Sequence, residues 1–405
     1  MRPKPIFPPP LSAATGKPKR NKGRQNYSVL SINGRMRLRR VRWHCSHTGS
    51  ETPIDRMLDR AESTISEGVR EMACRVNQNA SSFQTAAENL WRTAHIEVSK
   101  ETVRQLVEGE GRVVLRAMQQ AELSPEWSSD DCTTDEDTHR VYLGCDGVKV
   151  PLVTDEEKRK RRKKIRDKRR RKGRKCQPLA RAKAGADNAY KEFKVGYLYD
   201  EKKENRLVGV TAGNHEATGR MLRRMGKQVE LSQADERIAL VDGAPWIRNQ
   251  IEFHGLTEDI GLDFWHLQDY AQKTRRVVYG EESKEGQQWL SELMHAFKHD
   301  GFDAAWDKLI AWRKPLRGAK RAAANRLMQY ATERQDMIRY PQFRENGWQI
   351  GSGPTEAECK TTTHRVKGRG RRWDSANAEA MMALAALHDS RMWNQRWTTL
   401  KPQTN

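Results

Sequence analysis

The chain has 405 residues, 32% of them charged, with a formal net charge of +22. That length accommodates two or three domains with at least one sizeable core. No apolar run is long enough to span a bilayer, and six scattered cysteines without a CxxC pair argue against a disulfide framework or a complete zinc ribbon. The positive charge is concentrated. Residues 158–175, "KRKRRKKIRDKRRRKGRK", hold fifteen basic residues and one acid, and residues 1–43 hold twelve basic residues and none. Charge gathered in this way suits a polyanion, because each neutralised phosphate releases a counterion.

In chain order, residues 1–27 read as a disordered, basic, Pro-rich arm with no apolar stretch of signal-peptide length. Residues 28–123 read as an N-terminal module that opens with a β-hairpin. Asn33-Gly34 marks its turn, and its flanking runs carry an arginine-lined face. "WHCSH" gathers His44, Cys45 and His47, but a second ligand pair for zinc is missing. Helical spacing follows, with Phe83, Ala86, Ala87, Leu90 and Trp91 on one face. A break then leads to Ser99, a cap for a second helix with Thr102 and Arg104 in its first turns. This is the layout of a helix-turn-helix whose second helix offers Ser99, Thr102 and Arg104 to DNA; a plain helical hairpin has the same pattern. Residues 124–139 are acidic and turn-rich, and read as a linker.

From residue 140 the pattern is mixed α/β. "RVYLGCDGVKVPLV" alternates and is expected to turn at Asp146-Gly147. "KEFKVGYLYD" and "RLVGVTAG" give two more strands, "RIALVDGAP" a buried one ending at Asp242, and "DIGLDFWH" a fifth ending near His266. Helices fall between the later strands, so antiparallel strands come first and parallel crossovers later. The first part of this core spans 140–275 and contains the basic insertion 158–175. A helical insertion fills 276–345, residues 346–393 complete the core, and 394–405 form a tail.

Asp146 and Asp242, each expected at a strand end, can share one crevice if their strands are neighbours. Taken singly, each also fits a structural Asp-Gly turn. In "GSGPTEAECK" the glycines permit a tight turn and Pro354 suits the first turn of a helix. Glu356 and Lys360 then share a face, while Glu358 points elsewhere. Asp146, Asp242 and Glu356 would hold Mg²⁺ or Mn²⁺, as a pair of ions, through hard oxygen ligands.

"GCDGVKVPL", "FKVGYLY", "ALVDGAPWI", "LDFWHLQDY" and "GSGPTEAECK" with "VKGRGRRW", over roughly 140–390, resemble bacterial insertion-sequence DDE transposases of the ISKra group, distant relatives of the Mutator-like enzymes. The resemblance implies an RNase H-like core whose catalytic acids are Asp146, Asp242 and Glu356. It implies a (C/D)xxH motif at Asp263–His266 that places His266 near the scissile phosphate; Lys360, on the same helix face as Glu356, is by its spacing the expected phosphate contact. It further implies cleavage and strand transfer at the terminal inverted repeats of double-stranded DNA, in a bacterial cytoplasm, by a complex that is at least a dimer. Arg162, Lys163, Arg169, Arg170, Arg365, Lys367, Arg369 and Arg371 are the expected backbone contacts. A nuclease or resolvase without strand transfer, and a non-catalytic DNA-binding regulator, are the competing readings.

Overall fold

The computed structural model describes residues 8–56, 64–173, 178–179, 181 and 184–397. The chain divides into two units, residues 1–113 with 394–405, and residues 114–393.

In the first unit, β1 (Arg20–Ser31), β2 (Gly34–Cys45) and β3 (Gly49–Glu51) form an antiparallel sheet. β1 begins inside the segment expected to be a disordered arm. Ser31 pairs directly with Gly34, so the two-residue turn is Ile32-Asn33, one position earlier than Asn-Gly chemistry suggests. The Ser31 hydroxyl holds it, accepting from the Asn33 amide and donating to the Gly34 carbonyl. Helices α1 (Glu67–Gln78), α2 (Phe83–Ala94) and α3 (Lys100–Gln119) follow, the last running on into the second unit. Ser66, Ser82 and Ser99 accept hydrogen bonds from the backbone at the starts of these helices, the interaction that makes serine a preferred N-cap. Ala86, Ala87 and Leu90 are buried as their spacing predicts, whereas Trp91 is 53% exposed and meets His95 edge-on.

The second unit is built on a five-stranded sheet in the order β6-β5-β4-β7-β8. The segment expected to be an acidic linker is packed against it: Ser129 is buried, and its amide and hydroxyl bond the carbonyls of Val229 and Glu230. β4 (Arg140–Pro151) is one unbroken strand, so Asp146-Gly147 is not a turn. Both of its neighbours hold it in register, and its alternating apolar side chains lie buried between two covered faces. α4 (Asp155–Arg171) leaves its end, and β5 (Tyr190–Tyr199) and β6 (Arg206–Thr211) return antiparallel. After α5 (His215–Gln228), β7 (Glu236–Val241) runs parallel to β4. α6 (Pro245–His254) then leads to β8 (Asp259–Leu262), parallel to β7. Antiparallel strands first and parallel crossovers after them is the arrangement the sequence pattern predicts.

α7 (Phe264–Tyr279) starts immediately after β8. His266 therefore sits in the first turn of a helix rather than at a strand end. α8 (Lys284–His295), a π-helical turn at Ala296–Asp300, α9 (Phe302–Arg313), α10 (Gly318–Thr332) and α11 (Tyr340–Glu345) follow as a run of helices. Leu293, Met294, Phe297, Leu309, Leu327 and Ala331 form its core, while Ile310, expected beside Leu309, is 47% exposed. α12 (Gly353–Lys367) and α13 (Ser375–Asp389) close the unit against the sheet. No described helix is long and apolar enough to cross a membrane.

Candidate active site

The site grows from the register between β4 and β7. Their last parallel pair is Leu143 with Ala239; carried three residues further, the same register sets Asp146 level with Asp242. β7 ends at Val241 just where β4 continues, leaving an opening at its carboxyl end, the place where parallel strands commonly bind ligands. The Asp242 carboxylate accepts from the Ala244 amide, and Tyr330 donates to its carbonyl. Gly243 has φ +79°, and a Cβ there would collide with Arg334 and Leu262, so the residue after Asp242 must be glycine.

Glu356 reaches the opening because α12 lies unusually close to β4. A Cβ built on Gly144 would fall 1.8 Å from the Thr355 hydroxyl, so only glycine admits the helix at this distance. A second anchor fixes the start of α12. Asp263, fully buried at the N-cap of α7, accepts from the Trp265 amide (2.6 Å), the Ser352 amide (3.0 Å) and the Ser352 hydroxyl. Its other neighbour is His266, whose Nδ1 lies 3.3 Å away. Asp263 thus ties the glycine-rich turn to the helix that carries His266. Asp263, His266 and Glu356 each present a ligand atom, all within 4.8 Å of one another, and form a group that can hold a metal ion.

Electrostatics sharpen this picture. Burial raises the Asp146 pKa most, and the charges of Asp242 and Glu356 add to it, against the Gly147 amide and His266. Burial alone would raise Asp263 too, but the adjacent His266 ring and hydrogen bonds from Ser352 and Trp265 outweigh it and hold the carboxyl below its ordinary value. His266 is raised, chiefly by the neighbouring Asp263 carboxylate and further by Asp242 and Glu356. A buried acid whose charge is further disfavoured by neighbouring acids, as Asp146 is here, suits a cation beside it. The donor set is carboxylate oxygens with one imidazole, and it fits a hard divalent ion such as Mg²⁺ or Mn²⁺. Asp263 accepts from Ser352 and Trp265, and one oxygen each of Asp146 and Asp242 accepts from the amides of Gly147 and Ala244.

The cleft, about 610 Å³, is lined by Asp146, His266 and Glu356 together with Lys149, Lys360 and Lys367. Lys360 is exposed, with its ammonium 3.8 Å from Glu356. Lys149, Cys359 and Thr363 are additions that the motifs do not announce; the i, i+3/i+4 spacing along α12 from Glu356 and Lys360 is the signal that finds the last two.

Other expected contacts fall differently. Arg365 is buried, its guanidinium 5.1 Å from the centre of the Trp373 ring, and burial lowers its pKa to about 10; it is part of the core, not a surface contact. Arg371 is half-buried and donates to the carbonyls of His364 and Arg365 at the end of α12. Lys367 and Arg369 are exposed. Arg162, Lys163, Arg169 and Arg170 lie on α4, a helix with no buried residue. In the first unit, Arg104 is committed to Glu101 (2.5 Å) and Glu108 (2.6 Å), and the Thr102 hydroxyl to Ser99 (2.9 Å). Among the described residues the cysteines are free thiols.

No family model and no curated protein matches this chain. Among solved structures it is similar to the Drosophila P element transposase strand transfer complex, at 9% identity and a TM-score of 0.33, over 86% of this chain and 87% of that one.

Proposed function

We propose that the second unit is an RNase H-like catalytic core, and that the chain is a DNA transposase of the DDE type, related to the bacterial ISKra insertion sequences. It would cleave the 3′ strand at the terminal inverted repeats of its element and transfer that end to target DNA. One observation supports this reading: Asp146 of β4 and Glu356 of α12 line one cleft with Lys149, Lys360 and Lys367, and the charge of Asp242, which follows β7, acts on both Asp146 and His266. The strand order, three antiparallel strands with two parallel ones added beside the first, supports the core assignment.

In this reading Asp146, Asp242 and Glu356 hold two divalent ions. When bound, these supply Lewis-acid polarisation of the scissile phosphate and activation of the attacking oxygen. His266, held by Asp263, is placed to donate to a phosphate oxygen, and Lys149, Lys360 and Lys367 hold flanking phosphates. Water attacks phosphorus, the 3′ oxygen leaves and takes a proton, and a 5′ phosphate remains on the other fragment. The freed 3′-OH then attacks a target phosphodiester and displaces the target's own 3′ oxygen. α4 serves as a backbone-phosphate grip, and synapsis of two ends calls for at least two copies of the chain.

The test is purified protein with DNA from both flanks of its own gene, Mg²⁺ or Mn²⁺, and a target plasmid. Nicks that expose 3′-OH groups at repeat boundaries, followed by joined products, are expected. Nicks without joining would make it a nuclease or resolvase. Binding without nicks would make it a regulator.

A further inference from the structure

The N-terminal ribbon has two unlike faces. Residues directly opposite across antiparallel strands share a face, so the register places Gln25, Tyr27 and Val29 with Met36, Leu38 and Arg40. That face is occupied: the Arg40 guanidinium lies 3.7 Å from the centre of the Tyr27 ring and bonds Asp55 at 2.6 Å. The other face joins Asn26 to Arg39, Ser28 to Arg37 and Leu30 to Arg35. Asn26, Arg35, Arg37 and Arg39 are exposed, and neither strand contains an acid. Arg37 and Arg39 make no ion pair among the described residues, and Arg35 only donates to Ser28 at 3.5 Å.

The contrast with α3 is chemical. The start of α3 carries the residues expected to read DNA, yet its arginine and threonine bond within the helix's own first turns. The ribbon keeps its donors outward. Two strands about 5 Å apart fit the major groove of B-DNA, about 12 Å wide. Arginine pairs bidentately with guanine O6 and N7 there, and asparagine with adenine N6 and N7.

We propose that the β1–β2 ribbon, through Asn26, Arg35, Arg37 and Arg39, is the base-reading element of the N-terminal unit and enters the major groove of duplex DNA. The proposal rests on the reading of the chain as a DNA-processing enzyme. It assigns sequence recognition to the sheet and leaves α3 a packing role.

The test uses the full chain and two duplex oligonucleotides, one from the DNA flanking its gene and one of scrambled sequence, followed by fluorescence anisotropy at fixed salt. Replacing Arg35, Arg37 and Arg39 together by lysine keeps the charge and the exposed positions but removes the bidentate fork. The ratio of flank to scrambled affinity is expected to fall by about tenfold or more for each arginine–guanine pair removed. Scrambled-duplex affinity should stay within about threefold. Guanine replaced by 7-deazaguanine in the flank duplex should weaken the wild type and leave the lysine variant unmoved. T102A/R104A should keep the wild-type ratio. A lysine variant that discriminates like wild type, or discrimination abolished in T102A/R104A instead, overturns the proposal. So does equal binding of A-form RNA duplex, whose deep, narrow major groove admits no ribbon. Nicking by the wild type with an unchanged lysine variant sinks the ribbon alone. A wild type that neither discriminates nor nicks sinks the enzymatic reading with it.

Discussion

α12 and α4 are both charged helices of the second unit, and they use charge in opposite ways. α12 buries Thr355, Glu358, Cys359, Thr362, Thr363 and Arg365, and each buried polar group needs a specific place in the packing. α4 buries nothing. Its N-terminal turn is held by the reciprocal Thr154–Glu157 cap and by Lys158 on Asp374 and Arg372 on Glu157. Acids in its first turn and Lys168 to Arg171 in its last suit the helix dipole. A buried charge is held in one place by its packing. An exposed row of charges is a field, tuned by number and by salt.

The largest expected effect separates two glutamates on α12. Glu356→Gln should reduce metal-dependent cleavage by about a thousandfold or more, since a metal ligand is removed. Glu358→Gln, two residues further and pointing away from the cleft, should stay within about threefold. Equal losses in the two would break the distinction between the site and its support. Gly144→Ala comes next. The added methyl enters the space of Thr355 and pushes α12 off β4, at a cost of about 1–3 kcal/mol by denaturant unfolding. It should also lower cleavage by about a hundredfold, because small displacements of catalytic groups are expensive.

On α4, replacing Arg162, Lys163, Arg169 and Arg170 by glutamine should lower the slope of log affinity against log salt by up to about 0.9 for each phosphate that is no longer neutralised. The cleavage rate at saturating DNA should not change. A fall in that rate would mean that α4 takes part in positioning.

The smallest effect is on stability. Burial, with the Asp389 carboxyl adding to it, pushes Glu358 up to about 7. A carboxyl raised on folding contributes stability that is fully present below its unfolded pKa, near 4.5, and is lost as pH climbs through about 7, because the unfolded state releases its proton first. Melting temperature should therefore fall between pH 4.5 and 7. Glu358→Gln should flatten that dependence and raise the melting point by about 2–4 °C at neutral pH, the usual response of a domain this size to about 1 kcal/mol.

Much of the core is legible because periodicity reports burial directly. The strand and helix segments, Ser99 as a cap and Pro354 in the first turn of α12 all follow from local pattern. The misreadings have local causes. Asp146-Gly147 has turn chemistry, but pairing with Val195 and Lys194 of β5 keeps it in the strand. "DFWH" reads as strand, but Asp263 caps a helix there. Arg365 reads as a surface residue because charged side chains seldom lie buried, and its stacking on Trp373 is a tertiary fact. Gly144 has a local signal, since a glycine inside a strand marks close approach of another backbone. Ser352 has none, because its partner Asp263 lies 89 residues away and nothing local announces the bond.

The central claim is that the acids of β4, β7 and α12 form one divalent-metal site. Its most direct test is titration of the purified protein with Mn²⁺, followed by electron paramagnetic resonance of the free ion. Saturable binding of about two ions per chain is predicted, with marked weakening in Asp146→Asn, Asp242→Asn and Glu356→Gln and none in Glu358→Gln. Absent saturable binding, or binding indifferent to Asp146→Asn and Glu356→Gln, would contradict the account.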